Sequence, residues 1–156
     1  MRRDEITDDL MDLGFDFLFF YARFEFALKE NKYLKKSKPG APAEAGWTAF
    51  TAKWQADYKL TAAAAALIEA APKREVIGDD GSPHFKAIEF PAATSDLEKV
   101  VVYCRTVRNN LFHGGKSGAG GWGDPVRTKM LLATVNEVLG ELAQSGDIEP
   151  SYTGRY

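Results

Sequence analysis

Residues 95–116 read SDLEKVVVYCRTVRNNLFHGGK, and this stretch predicts an amphipathic helix with a defined start and end. Ser95 followed by Glu98 three positions later forms a capping box, which marks a helix N-terminus. Gly114 and Gly115 then end the helix after about Phe112. At about 100° per residue, one face of this helix is apolar and is predicted to face the core. That face consists of Val100, Cys104, Val107 and Leu111.

The opposite face of the same helix carries polar groups that are able to do chemistry. Arg105, Asn109 and His113 fall in line there, and Arg108 lies about 100° round from Asn109 but is long enough to reach the same solvent region. Histidine exchanges protons near neutral pH, arginine can bind two phosphate oxygens at once, and asparagine can orient either group. These side chains indicate a site at the C-terminal end of the helix.

Three further helices are predicted on either side of this one. The first runs from about Asp4 to Lys36, where apolar residues recur every three or four positions, and the second from about Trp47 to the Ala71-Pro72 break. Asp124-Pro125, an N-cap followed by proline, starts the last helix, which runs to about Ala143. Residues 73–94 are rich in Gly and Pro and predict a crossover with a strand-like piece at Val76 and Ile77. We therefore expect an all-α fold, an antiparallel bundle of four main helices in a single domain spanning 1–156.

The first helix has more apolar surface than one packing face needs. Its core face is predicted to comprise Ile6, Leu10, Leu13, Phe17, Phe20, Phe24 and Leu28. A second apolar face comprises Phe15, Leu18, Phe19, Ala22 and Phe26. Such a helix lies either at the centre of the bundle or at a subunit interface.

Charge, cysteine content and hydropathy limit the partners and the cellular location that we expect for the protein. The formal net charge is −2, so binding to nucleic acid would have to depend on a local cluster of cations. The single cysteine, Cys104, cannot form an internal disulfide, which favours a reducing, cytoplasmic location. The sequence has no apolar run long enough for a membrane span, and acidic residues interrupt the N-terminus where a signal peptide would be apolar.

Three segments resemble the HEPN family of helical proteins. Arg108, Asn109, three intervening residues and His113 are similar to the R-polar-x3-H signature of HEPN ribonucleases. The segment RFEFALK, residues 23–29, resembles an aromatic-rich segment in a prokaryotic branch of that family. The turn at Ala71-Pro72-Lys73 resembles the Pro-Lys turn at the corresponding place.

The resemblance implies a metal-independent endoribonuclease, a toxin or phage-defence effector, with Arg108, Asn109 and His113 as catalytic residues. It also implies a homodimer that places two motifs across one cleft, RNA as the substrate, no cofactor or metal, and an antitoxin protein as a candidate partner. Arg105 and Lys116 are expected to bind RNA phosphates. Glu25, in an apolar run, is expected to pair with Arg105 or Arg108.

Other interpretations remain open at this stage. His113 could simply favour the negative end of a helix dipole, and the arginines could be surface charges that pair with nearby acids. The chain could be a non-catalytic HEPN-like domain that binds nucleotide, RNA or a protein, or a purely structural dimer. Gly115-Lys116-Ser117 does not fit a phosphate-binding P-loop, because Asn110 stands where the first glycine belongs and a helix precedes the segment. His84 is expected in an exposed turn, and a basic cluster (Lys32, Lys35, Lys36, Lys38) is expected to be solvated.

Overall fold

The fold is mostly helical, with one small β-hairpin inserted between two helices. The structure is a computed structural model that describes residues 6–112 and 124–155. Within these ranges there are six helices and two strands. In chain order they are α1 (Asp8–Glu30), α2 (Trp47–Trp54), α3 (Ala62–Ala70), β1 (Arg74–Ile77), β2 (Pro83–Lys86), α4 (Asp96–Phe112), α5 (Pro125–Ser145) and α6 (Glu149–Thr153).

The start signals of α4 and α5 act as the sequence predicts. The Ser95 hydroxyl accepts a hydrogen bond from the Glu98 backbone N–H at 3.2 Å, and the Asp124 side chain accepts one from the Arg127 N–H at 2.8 Å. Both bonds satisfy backbone donors that the first helical turn leaves unpaired. The predicted third and fourth helices are therefore confirmed in place, and α5 extends slightly farther, to Ser145.

The predicted second helix is wrong in its continuity, because the chain forms α2 and α3 with a break over residues 55–61. Thr61 caps α3, accepting a hydrogen bond from the Ala64 N–H at 3.2 Å. The same Thr61 hydroxyl donates to Glu141 on α5 at 2.6 Å. This bond to a distant helix holds Thr61 outside the helix, where local helix propensity would have continued it.

Helix α1 packs on α5 and α6, while α4 packs against α2, α3, α5 and β1. Phe24 of α1 is fully buried at the centre of an aromatic cluster, stacked on Trp47 with 4.9 Å between ring centroids and edge-on to Phe50 at 5.8 Å. Most of the predicted core of α1, including Leu10, Phe17 and Leu28, is buried as expected. Phe20 is an exception, at 38% exposed.

The second apolar face of α1 is not packed inside this chain. Phe15 is 67% exposed and Phe19 52%, and Leu18, Ala22 and Phe26 are also exposed. A central position for α1, enclosed on all sides, is therefore excluded in the isolated chain. In α5, the apolar residues Val126 and Met130 are also exposed.

The hairpin and α6 complete the architecture. Strands β1 and β2 pair antiparallel, with Arg74 opposite Lys86 and Val76 opposite His84, so the predicted strand-like piece belongs to a two-stranded hairpin. Helix α6 was not predicted. Its backbone carbonyls at Ser151 and Tyr152 accept hydrogen bonds from the Arg23 guanidinium, which fastens the C-terminal segment to α1. None of the described helices is long and apolar enough to cross a membrane.

Candidate functional site

The exposed face of α4 brings Arg108 and Asn109 together at the C-terminal end of the helix. Arg108 is half-buried and Asn109 is exposed. The Arg108 Nη1 donates to Asn109 Oδ1 at 3.2 Å, a bond between neighbouring residues. The amide thus accepts from one edge of the guanidinium and leaves its own NH₂ group to face solvent or a ligand. The sequence prediction that these two side chains share one region is confirmed.

Aromatic rings support the Arg108 guanidinium. Its central carbon lies 4.9 Å from the ring centroid of Phe112, one turn later in α4, and 6.0 Å from that of Tyr21 in α1. Both distances fall within the range of cation–π attraction. A planar cation that rests on rings keeps its N–H groups at the edge free for hydrogen bonds, as phosphate binding requires.

Tyr21 lies under the site as an uncharged residue. It is 4% exposed, and burial raises the pKa of its hydroxyl well above the usual range, with the Glu25 carboxylate adding to the rise and Arg105 and Arg108 opposing it. The hydroxyl therefore stays protonated at any physiological pH. Burial likewise raises the pKa of the Cys104 thiol, which is fully buried in the core of α4, as the sequence predicts.

Glu25 does not pair with an arginine, and that prediction is wrong. Its Oε1 accepts a hydrogen bond from the indole N–H of Trp47 at 3.0 Å. Within residues 6–112 and 124–155, Glu25 forms no hydrogen bond or ion pair with Arg105 or Arg108. The buried indole needed an acceptor, and Glu25 provides one at the edge of the core. In the part of the chain that is described, neither arginine is therefore in contact with a carboxylate.

Arg105 lies one turn before Asn109 and is exposed at the meeting point of several clefts. One cleft, about 390 Å³, lies between α4 and the hairpin and is also lined by Arg74 and Asn109. Another, about 400 Å³, lies between α4 and α2. A third, about 420 Å³, extends towards the segment between α1 and α2. Arg105 lines all three clefts, so its side chain is accessible to a ligand bound in any of them.

The interpretation of the arginines as surface ion-pair partners is not supported in the part of the chain that is described. Asp96 pairs with Lys99 at 2.9 Å, and neither Arg105 nor Arg108 forms an ion pair there. In the basic cluster after α1, Lys35 pairs with Glu44 at 3.0 Å and is exposed, as a solvated surface would be.

Two of the predicted site residues, His113 and Lys116, lie outside the described residues. His113 directly follows Phe112, the last residue of α4. The other histidine, His84, is exposed on β2 rather than in a turn. Among the residues that are described, no three His, Cys, Asp or Glu side chains come together as a metal site would require.

Sequence reasoning missed two residues of this region. Arg74 lines the cleft beside α4, and the only local signal for it was the adjacent cation pair Lys73-Arg74 after the helix-ending Pro72. Trp47 lines the clefts on the other side and holds Glu25. Its indole N–H was a signal, because a buried tryptophan usually finds an acceptor.

Comparison of this chain with family models, with curated proteins and with solved structures finds no match.

Proposed function

We propose that this protein is a metal-independent endoribonuclease, a toxin or phage-defence effector with an HEPN-like bundle fold, that acts as a homodimer. The observation that carries the proposal is the half-buried Arg108 guanidinium, which lies on two aromatic rings and is hydrogen-bonded to Asn109. No carboxylate among the described residues neutralises it. A half-buried cation is partly desolvated, so a guanidinium group without an anionic partner is suited to an anionic ligand.

The proposed reaction needs three things from these residues. A base removes the proton of a ribose 2′-hydroxyl, whose oxygen attacks the adjacent phosphorus and displaces the 5′-oxygen of the next nucleotide. Arg108 stabilises the charge on the pentacoordinate phosphorus, and Asn109 orients the phosphate or the sugar. An acid then protonates the leaving 5′-oxygen, which yields a 2′,3′-cyclic phosphate and a 5′-hydroxyl.

His113 is the proposed proton carrier, because its unperturbed pKa of about 6.5 lets it serve as base or acid near neutral pH. A single His113 cannot take both roles in the same step. A dimer supplies two copies of His113, one as base and one as acid. The homodimer is therefore part of the mechanism in this proposal.

The exposed apolar face of α1 supports a homodimer. We call this face the outer stripe; it consists of Phe15, Leu18, Phe19, Ala22 and Phe26, together with the exposed Met11. Its members recur at spacings of three, four and seven, so they form one band along the helix. A contiguous apolar band of this kind on a small protein is typical of an interaction surface.

Charge distribution along α1 favours antiparallel packing against a second copy of the chain. The N-terminal half of α1 is acidic, with Asp8, Asp9, Asp12 and Asp16, whereas its C-terminal half carries two cations and two carboxylates, Arg23, Glu25, Lys29 and Glu30. Two α1 helices packed antiparallel about a two-fold axis would bring each acidic half beside a half of the partner that has no net charge. This arrangement keeps the two acidic halves apart.

A non-catalytic role in binding nucleotide, RNA or a protein partner is the second candidate. The exposed Arg105 at the junction of three clefts favours it, since binding there does not require proton transfer. An antitoxin protein, if one exists, would be a partner of the same surfaces. Turnover separates the two candidates, because only the nuclease releases shortened RNA with cyclic phosphate ends.

The test is incubation of the purified protein with mixed RNAs in EDTA, comparing wild type with His113→Ala and His84→Ala. His84→Ala is the matched control, since His84 is the other histidine of the chain and lies exposed on the hairpin. We expect wild type and His84→Ala to cleave RNA equally and to leave DNA intact. His113→Ala should lose about 10²- to 10⁴-fold in rate. Equal cleavage by His113→Ala, or activity only with an added divalent metal, would refute the proposed site.

A further inference from the structure

The cleft between the hairpin and α4 has the composition of a nucleotide-binding site. It measures about 390 Å³ and is open to solvent. Arg74 and Glu75 of β1 line one side, and Arg105, Asn109 and Asn110 of α4 line the other. Volumes of about 300–1,000 Å³ are usual for small-ligand sites in proteins.

The hairpin side of the cleft is held in place relative to α4. Asn110 Nδ2 donates to the backbone carbonyl of Lys73 at 2.8 Å, directly before β1 begins. This bond joins the root of the hairpin to the last turns of the site helix. Arg74, the next residue, is therefore positioned beside α4, although the rest of the hairpin is largely exposed.

Arg74 and Arg105 are both available to an anion. Each is exposed, and in the described ranges neither guanidinium group forms a hydrogen bond or an ion pair. Two guanidinium groups on opposite walls of one cleft can each contact oxygens of a phosphate chain. The apolar side chains Ile88 and Val102 also line the cleft and offer contact for the face of a base.

The remaining lining groups suit a base or a ribose better than an isolated phosphate. Glu75 brings a carboxylate, which repels phosphate but accepts hydrogen bonds from base amino groups or from a 2′-hydroxyl. The Asn110 Oδ1 remains as an acceptor, since its NH₂ group is bonded to Lys73. A site with both donors and acceptors favours a whole nucleotide over inorganic phosphate.

We propose that this cleft binds a ribonucleotide of single-stranded RNA next to the phosphodiester that is cut, with Arg74 and Arg105 on its phosphates. Asn109 belongs both to this cleft and to the Arg108 pair, so a nucleotide held here is adjacent to the proposed catalytic group. The position of the nucleotide next to a cleaved phosphodiester rests on the proposed function. Binding itself is independent of turnover.

The experiment measures binding of a fluorescent single-stranded RNA oligonucleotide by fluorescence anisotropy, in the His113→Ala protein, which is expected not to cleave. Arg74→Ala is compared with Lys86→Ala. Lys86 lies directly opposite Arg74 in the hairpin register and has the same charge, but it does not line the cleft. We expect Arg74→Ala to weaken Kd about tenfold and to reduce the slope of log K against log salt by about 0.7, the loss of one phosphate contact on a single strand. Lys86→Ala should change Kd less than about twofold.

Kinetics of otherwise wild-type protein provide the second measurement. Arg74→Ala should raise KM for RNA about tenfold and leave kcat within about twofold, because Arg74 binds and does not react. Equal losses in Arg74→Ala and Lys86→Ala, or equal affinity for single-stranded DNA, would overturn the assignment. Absence of any RNA binding would also overturn it.

Failure of this inference and failure of the nuclease can be told apart. If the protein binds RNA through Arg74 but never cleaves it, the cleft assignment holds and the proposed nuclease is wrong. If the protein cleaves RNA with unchanged KM in Arg74→Ala, the nuclease holds and the cleft assignment is wrong.

Discussion

Replacing Phe15 by Asp tests whether the outer stripe joins two copies of the chain. Phe15 is 67% exposed, which for a phenylalanine of about 200 Å² corresponds to about 130 Å² of apolar surface. At about 25 cal/mol per Å² this area is worth about 3 kcal/mol per copy, and a two-fold interface counts it twice. If the interface covers only half of it, the loss is still about 3 kcal/mol, or about a hundredfold in the dimer dissociation constant.

The assay is sedimentation velocity of wild type, Phe15→Asp and Ile77→Asp at micromolar concentration. Ile77 is the control because it is 81% exposed on the hairpin, outside the outer stripe. Wild type and Ile77→Asp should sediment as dimers and Phe15→Asp as a monomer with unchanged helical circular dichroism. RNA cleavage by Phe15→Asp should fall with the fraction of dimer, because each cleft needs two histidines in the proposed mechanism. A wild-type protein that is monomeric, or a Phe15→Asp protein that is as dimeric as wild type, refutes the reasoning.

Three other changes have defined outcomes. Arg108→Lys should lower kcat/KM for RNA about tenfold or more with the fold intact, since an ammonium cannot reproduce a two-point phosphate contact; melting curves beside single-turnover rates check this. Phe24→Ala should cost about 3–5 kcal/mol of unfolding free energy by urea titration, because it empties the space of a fully buried ring stacked on Trp47. Asp9 has its pKa lowered to about 2 by the hydrogen bond from Lys129, so its stabilising effect is complete above the unfolded pKa of about 3.9 and is lost as pH falls towards 2. Thermal midpoints of wild type and Asp9→Asn should therefore differ at neutral pH and converge near pH 2.

The parts of the fold that sequence predicted correctly are those fixed by local signals. Helices α4 and α5 begin where Ser95 and Asp124 accept hydrogen bonds from backbone groups three residues later. Such bonds depend on residues adjacent in sequence, so a reader of the sequence can find them. The apolar period of α1 was equally local: of its predicted core face, Leu10, Phe17, Phe24 and Leu28 are buried, Ile6 and Leu13 are partly buried, and Phe20 is exposed.

The errors arise where contacts between distant residues decide the structure. The break before α3 depends on a hydrogen bond between Thr61 and Glu141, which are far apart in sequence. The alanine run that follows has high helix propensity, so the sequence alone predicted one continuous helix. Strand β2 was missed because all four of its residues are exposed, so no alternation of apolar and polar residues marks it. Helix α6 is only five residues long, and its attachment to Arg23 is invisible in a linear sequence.

The error over Glu25 bears directly on function. The apolar run around Glu25 predicts that this acid pairs with a nearby cation, Arg105 or Arg108. The structure gives Glu25 a neutral partner, the Trp47 indole, and the carboxylate still meets its need for a hydrogen bond. A salt bridge with Glu25 would have given an arginine an anionic partner within the chain. That arginine would then have been less available to an anionic ligand.

Because Glu25 bonds to Trp47, it does not contact the guanidinium groups of Arg105 and Arg108 on α4. Arg108 is held by attraction to the faces of Phe112 and Tyr21, which orient it without neutralising it. Arg105 and Arg74 line the cleft beside the hairpin. Their guanidinium groups likewise have no hydrogen-bond or ion-pair partner among the residues described. Within residues 6–112 and 124–155, two arginines of α4 and one of β1 have no contacting carboxylate, which is difficult to explain by stability alone in a chain whose formal net charge is −2. We propose that an anionic ligand that spans them, such as a segment of RNA, is the partner of these arginines.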